Sequence, residues 1–403
     1  MIYIEKSTAC GTVHSPPSKS MAHRALICAG LAKGRSIISN IEYSKDILAT
    51  IGCLEALGVK CIKHEHSVEV DGGIDISGKT EISLYANESG STLRFFIPIC
   101  LTLGIKCTFE GAPSLMSRPL EIYESICKEE GFLYEKSGNF LTVCGKLSKN
   151  CYTISGSISS QFISGLMFAL PLTGRSCKIC VTDNFESKPY VDMTVLCQTG
   201  FCVDTKRIGN EIFISGSGAY TAQDYTVEGD WSNSAFFDAF NLIGGNVTVT
   251  GLLDSSLQGD KIYRDFYEIF KTNPEKADFN IADCPDLAPV LMAMGAYYGY
   301  CRLTGTKRLK IKESDRGAVM ALELEKFGIK TELGENELTV RGKLTPPAEI
   351  LFSHNDHRIA MALSLLLSKT GGKLDDEKSV SKSLPDFFER IKSLGIGVKP
   401  CDL

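Results

Sequence analysis

Four segments in the second half of the chain place charged side chains directly before an apolar run that is typical of a helix: residues 283–286, 312–316, 354–358 and 382–386. A helix N-terminus carries a partial positive charge, so Lys or Arg at that end opposes the helix dipole. A purely structural design would avoid such cations. Three of the four segments contain such cations, at Arg316, His357, Arg358 and Lys382. Their recurrence therefore indicates a bound anion.

The first half of the chain uses hydroxyls, amides and glycine at the same kind of position. Residues 17–24, 88–94, 155–161 and 186–190 form small-residue or Ser-rich turns, and the first three lead into apolar helices. Exposed backbone N–H groups at a helix start, with hydroxyl and amide side chains nearby, suit a phosphate or a polyol. Serine caps are common, so each segment taken singly also fits a capped helix.

The composition limits the classes of partner. A chain of 403 residues is too long for one core, and two domains are expected. A net charge of −5 gives no bulk field that would favour nucleic acid or a membrane surface, and no apolar run reaches the roughly 18 residues of a membrane span. The 16 cysteines lie in apolar stretches, which is consistent with a reducing cytosol.

Two short patterns raise the question of metal binding. Cys177 and Cys180 form the only Cys-x-x-Cys, but it lies in a Val/Ile-rich run and predicts a core strand rather than a zinc or redox site. The spacing of His354 and His357 would suit a metal, but no third ligand cluster is visible, so no metal site is expected.

An internal repeat determines the expected architecture. A helix that ends at a glycine and is followed by a hairpin recurs along the chain, at Gly58, Gly131, Gly200, Gly328 and, cut short by the C-terminus, Gly395. A degenerate copy without the glycine is expected near residues 267–273. One such unit cannot bury both faces of its sheet, so six copies predict two domains of three units. Ordinary α/β alternation without true repetition is the alternative.

Taken together, these segments resemble the 5-enolpyruvylshikimate-3-phosphate synthases (3-phosphoshikimate 1-carboxyvinyltransferases). The resemblance spans residues 16–388 and rests on eight strings in the family's order: PSKSMAHRAL, SGSTLR, SRPL, GSISSQF, SKPY, KESDR, NDHRIAMAL and SLPDFF. It implies an α/β fold of two inside-out barrel domains, each of three βαββαβ units, around a central cleft. It also implies a discontinuous first domain, residues 1–17 plus 229–403, and a second domain of residues 18–228.

The resemblance also implies the reaction. The enolpyruvyl group of phosphoenolpyruvate would pass to the 5-hydroxyl of shikimate-3-phosphate through a tetrahedral intermediate, with release of phosphate, on the route to chorismate and the aromatic amino acids. No cofactor and no metal would be needed. The expected partners are these two small molecules, with no nucleic acid and no membrane, and a cytoplasmic monomer is expected.

Site residues are carried over from the same strings, position by position. The expected catalytic residues are Asp286 as base for the 5-hydroxyl, Glu313 as donor or relay of a proton to the methylene carbon, Lys19 and His357. Shikimate-3-phosphate would be bound by Lys19, Ser20, Arg24, Ser159, Ser160, Gln161, Ser187, Tyr190, Asp286 and Lys312. Phosphoenolpyruvate would be bound by Lys19, Gly90, Arg118, Gln161, Arg316, Arg358 and Lys382.

Two positions depart from the family pattern. Glu88 stands in a turn where many members have Asn, and its carboxylate would repel phosphoenolpyruvate unless it is turned away or paired. The response to glyphosate, the family's phosphoenolpyruvate-mimicking inhibitor, therefore depends on how Glu88 is oriented. Arg308 stands four residues before Lys312, where Asn is often found.

Two other functions compete with this interpretation. The related enolpyruvyl transferase that acts on UDP-N-acetylglucosamine carries a reactive cysteine in the loop before its Arg-Pro, and residues 111–117 contain none. A repeat protein that only binds anionic metabolites needs cations, but it has less use for Asp286 and Glu313 among them.

Overall fold

The computed structural model describes residues 1–216 and 219–401, which form 21 strands and 13 α-helices. The strands are β1 Ile2–Ile4, β2 Cys10–His14, β3 Gly34–Ser39, β4 Lys60–Lys63, β5 Ser67–Gly72, β6 Glu81–Asn87, β7 Lys106–Gly111, β8 Leu133–Ser137, β9 Phe140–Cys144, β10 Cys151–Ser155, β11 Cys177–Thr182, β12 Thr205–Ile208, β13 Glu211–Ile214, β14 Tyr225–Thr226, β15 Asn246–Thr250, β16 Asp278–Asn280, β17 Tyr300–Thr304, β18 Lys330–Leu333, β19 Glu337–Arg341, β20 Gly372–Leu374 and β21 Val398–Pro400. The helices are α1 Lys19–Leu31, α2 Lys45–Ala56, α3 Gly90–Cys100, α4 Pro113–Met116, α5 Glu121–Glu130, α6 Ser160–Ala169, α7 Lys188–Gly200, α8 Trp231–Leu242, α9 Tyr263–Thr272, α10 Ala288–Tyr298, α11 Arg316–Glu325, α12 His357–Thr370 and α13 Phe387–Ser393.

The chain divides into two compact units. The first unit comprises Met1–Pro16 and Gly229–Leu403, and the second comprises Pro17–Glu228. Pro17 therefore lies in the second unit, whereas we expected it to end the first. The backbone hydrogen bonds give the reason: Pro16 accepts one from Asp230 in the first unit, and Ser18 donates one to Glu228 in the second, each at 2.8 Å. The chain crosses between the two prolines.

The second unit consists of three four-stranded sheets that share one topology. Their strand orders are β14-β3-β5-β4, β6-β7-β9-β8 and β10-β11-β13-β12. In each sheet the first two strands are parallel and the other neighbours are antiparallel. The antiparallel hairpin follows a helix in every case (α2, α5 or α7), so each sheet is one copy of the expected helix–hairpin repeat.

The first unit repeats this plan, and one of its sheets corrects an expectation. The sheet β16-β17-β19-β18 is a complete copy, and another has the order β20-β1-β21 with both pairings antiparallel. The hairpin partner of β21 is thus the N-terminal strand, whose Ile2 and Ile4 are buried. The expectation that the last copy is cut short by the C-terminus is therefore wrong. The parallel edge strand of this sheet is reduced to a bridge between Leu351 and Leu374.

The degenerate copy near residues 267–273 keeps its helix, α9, but has no hairpin among the described residues. A short 3₁₀ helix, Pro274–Lys276, follows α9, and the chain then enters β16 directly. Its sheet consists of the parallel pair β15-β2 alone. Pro274 lacks the N–H that a hairpin strand would donate, which is consistent with this loss.

Glycine ends four of the repeat helices in the expected way. Gly58, Gly131, Gly328 and Gly395 have φ between 71° and 89°, the left-handed conformation in which glycine has no steric penalty. The exception is Gly200, which is the last residue of α7. There the left-handed residue is Cys202, with φ 64°.

Buried helices form the middle of each unit, and the sheets lie outside them. Helices α1, α3 and α6 in the second unit, and α8, α10 and α12 in the first, are buried along nearly their whole length. Strands such as β6 alternate between buried and exposed residues, so one face of the sheet is solvated. With helices inside and sheets outside, each unit has the expected inside-out α/β arrangement, and its sheets are separate rather than joined into one. No described helix has the length and hydropathy needed to cross a bilayer.

Candidate active site

Asp286 is the centre of a cluster of cations in the first unit. It lies in the 3₁₀ helix Pro285–Leu287 directly before α10. Its carboxylate is 2.7 Å from Arg316 Nη1, 3.1 Å from Lys312 Nζ and 3.4 Å from Arg358 Nη2. Burial alone would raise the pKa of Asp286, but Lys312, Arg358 and Arg316 outweigh it and hold that pKa well below its usual range. Asp286 is therefore ionised.

Arg316 connects Asp286 to a second carboxylate, Asp356. Arg316 is the first residue of α11, and its Nε donates to Asp356 Oδ2 at 2.8 Å. Asp356 is fully buried and caps α12 by accepting from the backbone N–H of Arg358 at 3.0 Å. Burial would lower the pKa of Arg316, but Asp356 and Asp286 raise it further than burial lowers it. The guanidinium is thus a permanent cation at this helix start.

Glu313 and His357 form a neighbouring pair. His357 begins α12, is buried, and its Nδ1 lies 2.9 Å from Glu313 Oε2. The other oxygen of Glu313 is 3.7 Å from Arg316 Nη2. A carboxylate bonded to an imidazole can pass a proton along that bond.

Glu313, Asp356 and His357 have the geometry of a metal-ligand group, but the guanidinium of Arg316 already lies among them. Ligand atoms of Glu313, Asp356 and His357 lie within 4.8 Å of one another. Arg316 bonds Asp356 and approaches Glu313, so the two carboxylates already face a buried cation. A divalent ion would be repelled by that charge, so these residues fit an arginine-centred network rather than a metal site.

Lys312 and Lys382 are the two lysines predicted for the site in the first unit. Burial, together with Arg316 and Arg308, lowers the pKa of Lys312 although Asp286 opposes this. Lys382 Nζ donates to the carbonyl of Asn355 at 2.6 Å.

The position of Lys382 corrects an expectation. It ends the 3₁₀ helix Glu377–Lys382, and α13 begins only at Phe387, so Lys382 does not start the last helix. Pro385 explains the interruption, because the residue before a proline avoids the helical conformation.

In the second unit, Arg24 is buried among three acceptors. Its Nε donates to Thr194 Oγ1 at 2.9 Å, and its terminal nitrogens donate to the carbonyls of Ser20 and Tyr190 at 2.8 Å each. Burial lowers the pKa of Arg24 to about 10, which leaves it protonated at neutral pH. Arg24 therefore ties the start of α1 to α7.

Lys19 and the serines lie at helix starts. Lys19 is the first residue of α1, and its Nζ lies 2.9 Å from Asp46 Oδ2. Ser159 caps α6 by accepting from the backbone N–H of Gln161 at 3.3 Å, and Ser160, the first residue of the helix, is buried. Ser187 precedes α7 in the left-handed conformation, with φ 55°.

A separate group in this unit joins α3 to α6. Arg94 Nη1 donates to Gln161 Oε1 at 2.7 Å, and Gln161 Nε2 donates to Ser91 Oγ at 2.9 Å. A Cβ added at Gly90 would lie 3.0 Å from Arg118 Nη1. Burial and the neighbouring Arg118 lower the pKa of Arg94 to about 10. Glycine thus leaves room for the arginine that approaches the helix start.

Glu88 has a partner in α4. Its Oε1 accepts a hydrogen bond from Ser114 Oγ at 3.4 Å, and the residue is half-buried. Its carboxylate is therefore held by the segment that begins α4.

The predicted residues fall into contact groups inside each unit. In the first unit, direct contacts join Asp286, Lys312, Glu313, Arg316, His357 and Arg358, and Lys382 is attached through Asn355. In the second unit, Gly90, Arg118 and Gln161 lie together, and Arg24 lies with Ser20 and Tyr190.

Three buried residues were missed by sequence reasoning: Asp46, Arg94 and Asp356. The sequence contained a signal for Arg94. An arginine beside Leu93, Phe95 and Phe96 needs a polar partner when the helix is buried. Asp46 lies in the first turn of α2 after the Ser44 cap, and Asp356 is itself the cap of α12. Both positions are ordinary capping patterns and carried no such signal.

Comparisons with known proteins agree on one family. The model of the family "EPSP synthase (3-phosphoshikimate 1-carboxyvinyltransferase)" matches residues 5–391. A 3-phosphoshikimate 1-carboxyvinyltransferase of Clostridium kluyveri is 39% identical over 406 residues, covering 96% of this chain and 95% of that protein. One of Clostridioides difficile is 38% identical over 426 residues, covering 97% of each.

Solved structures show the same fold. An EPSP synthase from Acinetobacter baumannii has a TM-score of 0.78 at 22% identity and covers 99% of both chains. The enolpyruvyl transferase NikO from Streptomyces tendae has a TM-score of 0.72 at 14% identity, covering 99% of this chain and 98% of its own.

Proposed function

Because the chain belongs to the EPSP synthase (3-phosphoshikimate 1-carboxyvinyltransferase) family, and so transfers the enolpyruvyl group of phosphoenolpyruvate to shikimate-3-phosphate in the shikimate pathway, we propose that Asp286 and Glu313 move the protons of this reaction. The cations around these two carboxylates hold the two anionic substrates of the reaction. The observation that carries this proposal is the contact of one carboxylate, Asp286, with three cations beside the Glu313–His357 pair.

Asp286 takes the proton of the 5-hydroxyl. With Lys312, Arg316 and Arg358 all directed at it, its pKa is too low for an efficient base. The carboxylate or phosphate of phosphoenolpyruvate would engage Arg316 and Arg358 and so withdraw positive charge from Asp286. The pKa of Asp286 would then rise, and it would become a better base once the second substrate is bound.

Glu313 delivers a proton to the methylene carbon of phosphoenolpyruvate, and His357 serves as its relay. As that C–H bond forms, the 5-hydroxyl oxygen attacks the adjacent carbon and gives the tetrahedral intermediate. In the second step the C–O bond to phosphate breaks, and Glu313 takes a proton back from the methyl group. This restores the enol double bond and leaves free phosphate. The departing phosphate takes up the proton that Asp286 removed from the 5-hydroxyl, so both carboxyl groups return to their starting states. Arg316, 3.7 Å from Glu313, stabilises its carboxylate form.

The second unit supplies binding groups for both substrates. Arg24 uses three of its five N–H donors on protein acceptors, which leaves two for the phosphate of shikimate-3-phosphate. Ser159, Ser160, Ser187 and Tyr190 complete that site. Arg118 and Gln161, with the space left by Gly90, bind phosphoenolpyruvate, and Lys19 contacts both substrates. The planar guanidinium of Arg118 suits a carboxylate or a phosphate.

We further propose a cytoplasmic monomer that needs no metal, cofactor or nucleic acid. The 16 cysteines are all present as thiols, which suits a reducing compartment.

Phosphate release by the full chain tests the proposed acceptor. We expect release with phosphoenolpyruvate plus shikimate-3-phosphate, and only background with either one alone. Phosphoenolpyruvate plus UDP-N-acetylglucosamine is the matched comparison. Release with that pair instead would assign the protein to the other enolpyruvyl transferase, and release with neither pair would favour a protein that only binds anions.

A further inference from the structure

A left-handed loop precedes the helix that carries His357 and Arg358. His354 and Asn355 have φ of 51° and 56°, a conformation that non-glycine residues adopt only where the surrounding structure holds them. The next residue is Asp356, the cap of α12. We call residues 350–355 the 350–355 loop.

Helix α11 contacts this segment at two points. Its first residue, Arg316, bonds Asp356 at 2.8 Å. Glu323 follows seven residues later, about two helical turns, and so projects from the same face. Glu323 Oε1 lies 2.9 Å from His354 Nε2, and its Oε2 accepts from the backbone N–H of Phe352 at 2.9 Å.

Glu323 is itself held in place. The residue is 1% exposed, and Lys326 Nζ donates to Glu323 and to the carbonyl of Ile350 at 2.9 Å each. A buried carboxylate with three donors is a rigid connection. Through it the 350–355 loop is fixed to α11 from Ile350 to His354.

The 350–355 loop is attached to cations proposed for phosphoenolpyruvate. Lys382 donates to the carbonyl of Asn355 at 2.6 Å. Arg358 lies three residues beyond the loop, and its backbone N–H is bound by Asp356. Lys312 and Arg24, proposed for shikimate-3-phosphate, are located on other segments.

We propose that Glu323 and His354 are positioning residues for enolpyruvyl transfer: Glu323, through His354, holds the 350–355 loop so that Lys382 and Arg358 reach phosphoenolpyruvate. This inference rests on the function proposed above. It predicts an asymmetric effect on the two KM values. Loosening the loop displaces Lys382 and Arg358, which bind phosphoenolpyruvate, but leaves the groups that bind shikimate-3-phosphate in place.

Steady-state kinetics of the full-chain enzyme test this asymmetry. His354→Phe keeps a ring but loses the donor to Glu323, and we expect the KM for phosphoenolpyruvate to rise about tenfold while the KM for shikimate-3-phosphate stays within about twofold. His354→Gln retains an N–H donor and should behave like the wild type. Glu323→Gln replaces one of the two carboxylate oxygens that accept from Phe352 and face His354. It should likewise raise the KM for phosphoenolpyruvate and not that for shikimate-3-phosphate.

Val340→Ala is the control for a merely structural role. Val340 is buried in β19, where it pairs with Cys301 and Thr331, so its truncation should lower the melting temperature and leave both KM values unchanged. An unchanged KM for phosphoenolpyruvate in His354→Phe and Glu323→Gln would overturn the inference. Equal rises in both KM values, with a melting temperature like that of Val340→Ala, would also overturn it. A wild-type enzyme that releases no phosphate would overturn the proposed function and this inference with it.

Discussion

At the scale of single residues, the first unit concentrates charge that its fold does not need. Burying ionised groups costs free energy unless each has partners. Asp286 has three cationic partners and Arg316 contacts three carboxylates. Such a network costs free energy to assemble and shifts the pKa of Asp286 and of Lys312 away from their usual values, which is typical of a functional site.

Asp286→Asn should separate catalysis from binding. The amide keeps the shape of the side chain but cannot accept the 5-hydroxyl proton, so kcat should fall about 10²-fold or more. The KM for phosphoenolpyruvate should not rise, because Arg316 and Arg358 lose a competing carboxylate. Phosphate-release kinetics measure both constants. Glu337→Gln, which changes an exposed partner of Arg302, is the control, and a kcat for Asp286→Asn equal to that of the control would remove Asp286 from its proposed role.

At the scale of elements, close helix packing positions the arginines of the second unit. A Cβ added at Gly165 of α6 would lie 2.4 Å from both the carbonyl of Arg94 and the hydroxyl of Tyr123. That hydroxyl donates to the Arg94 carbonyl at 2.6 Å. The absence of a side chain at Gly165 thus lets α3 and α6 approach until Arg94 reaches Gln161.

Gly165→Ala should therefore destabilise the protein and weaken phosphoenolpyruvate binding together. Overpacking costs about 1–3 kcal/mol, and the displaced contacts here include backbone. Thermal unfolding and the KM for phosphoenolpyruvate are the two measurements. Gly52→Ala is the matched control, since Gly52 lies in α2 with no atom within 4 Å of an added Cβ. It should stabilise the protein by about 0.5–1 kcal/mol. Equal melting temperatures for the two variants would contradict this account of α3–α6 packing.

Individual elements show what the sequence could predict. The glycine ends of helices at Gly58 and Gly328 were predictable, because caps depend on residues close in sequence. The role of Asp356 could not be predicted in this way, because it depends on a contact with Arg316, forty residues away. The pairing of β21 with β1 could not be predicted either, because a repeat pattern along the chain carries no information about contacts between strands that are far apart in sequence.

At the scale of the whole molecule, each unit has its own hydrophobic core. One core is built from buried residues between Met21 and Val227, and the other from buried residues of the remaining two segments. The second unit is therefore a continuous stretch of chain with a complete core, whereas the first needs both ends of the chain.

Separate expression of the two stretches tests this difference. Residues 17–228 alone should fold and melt cooperatively, because all three of their sheets are internal. Residues 229–403 alone lack β1 and β2, the centre of one sheet and half of another, and should melt at a much lower temperature or without a cooperative transition. Circular dichroism during heating measures both fragments. Equally cooperative melting of the two would show that β1 and β2 are dispensable.

The pairing of β1 with β20 and β21 has a consequence for how the protein is made. β1 is synthesised long before its partners β20 and β21. The second unit can therefore fold while translation continues, and β1 must wait with its amides and apolar side chains uncovered. Synthesis of β20 and β21, rather than any earlier stage of elongation, is the moment at which the first unit becomes able to close this sheet.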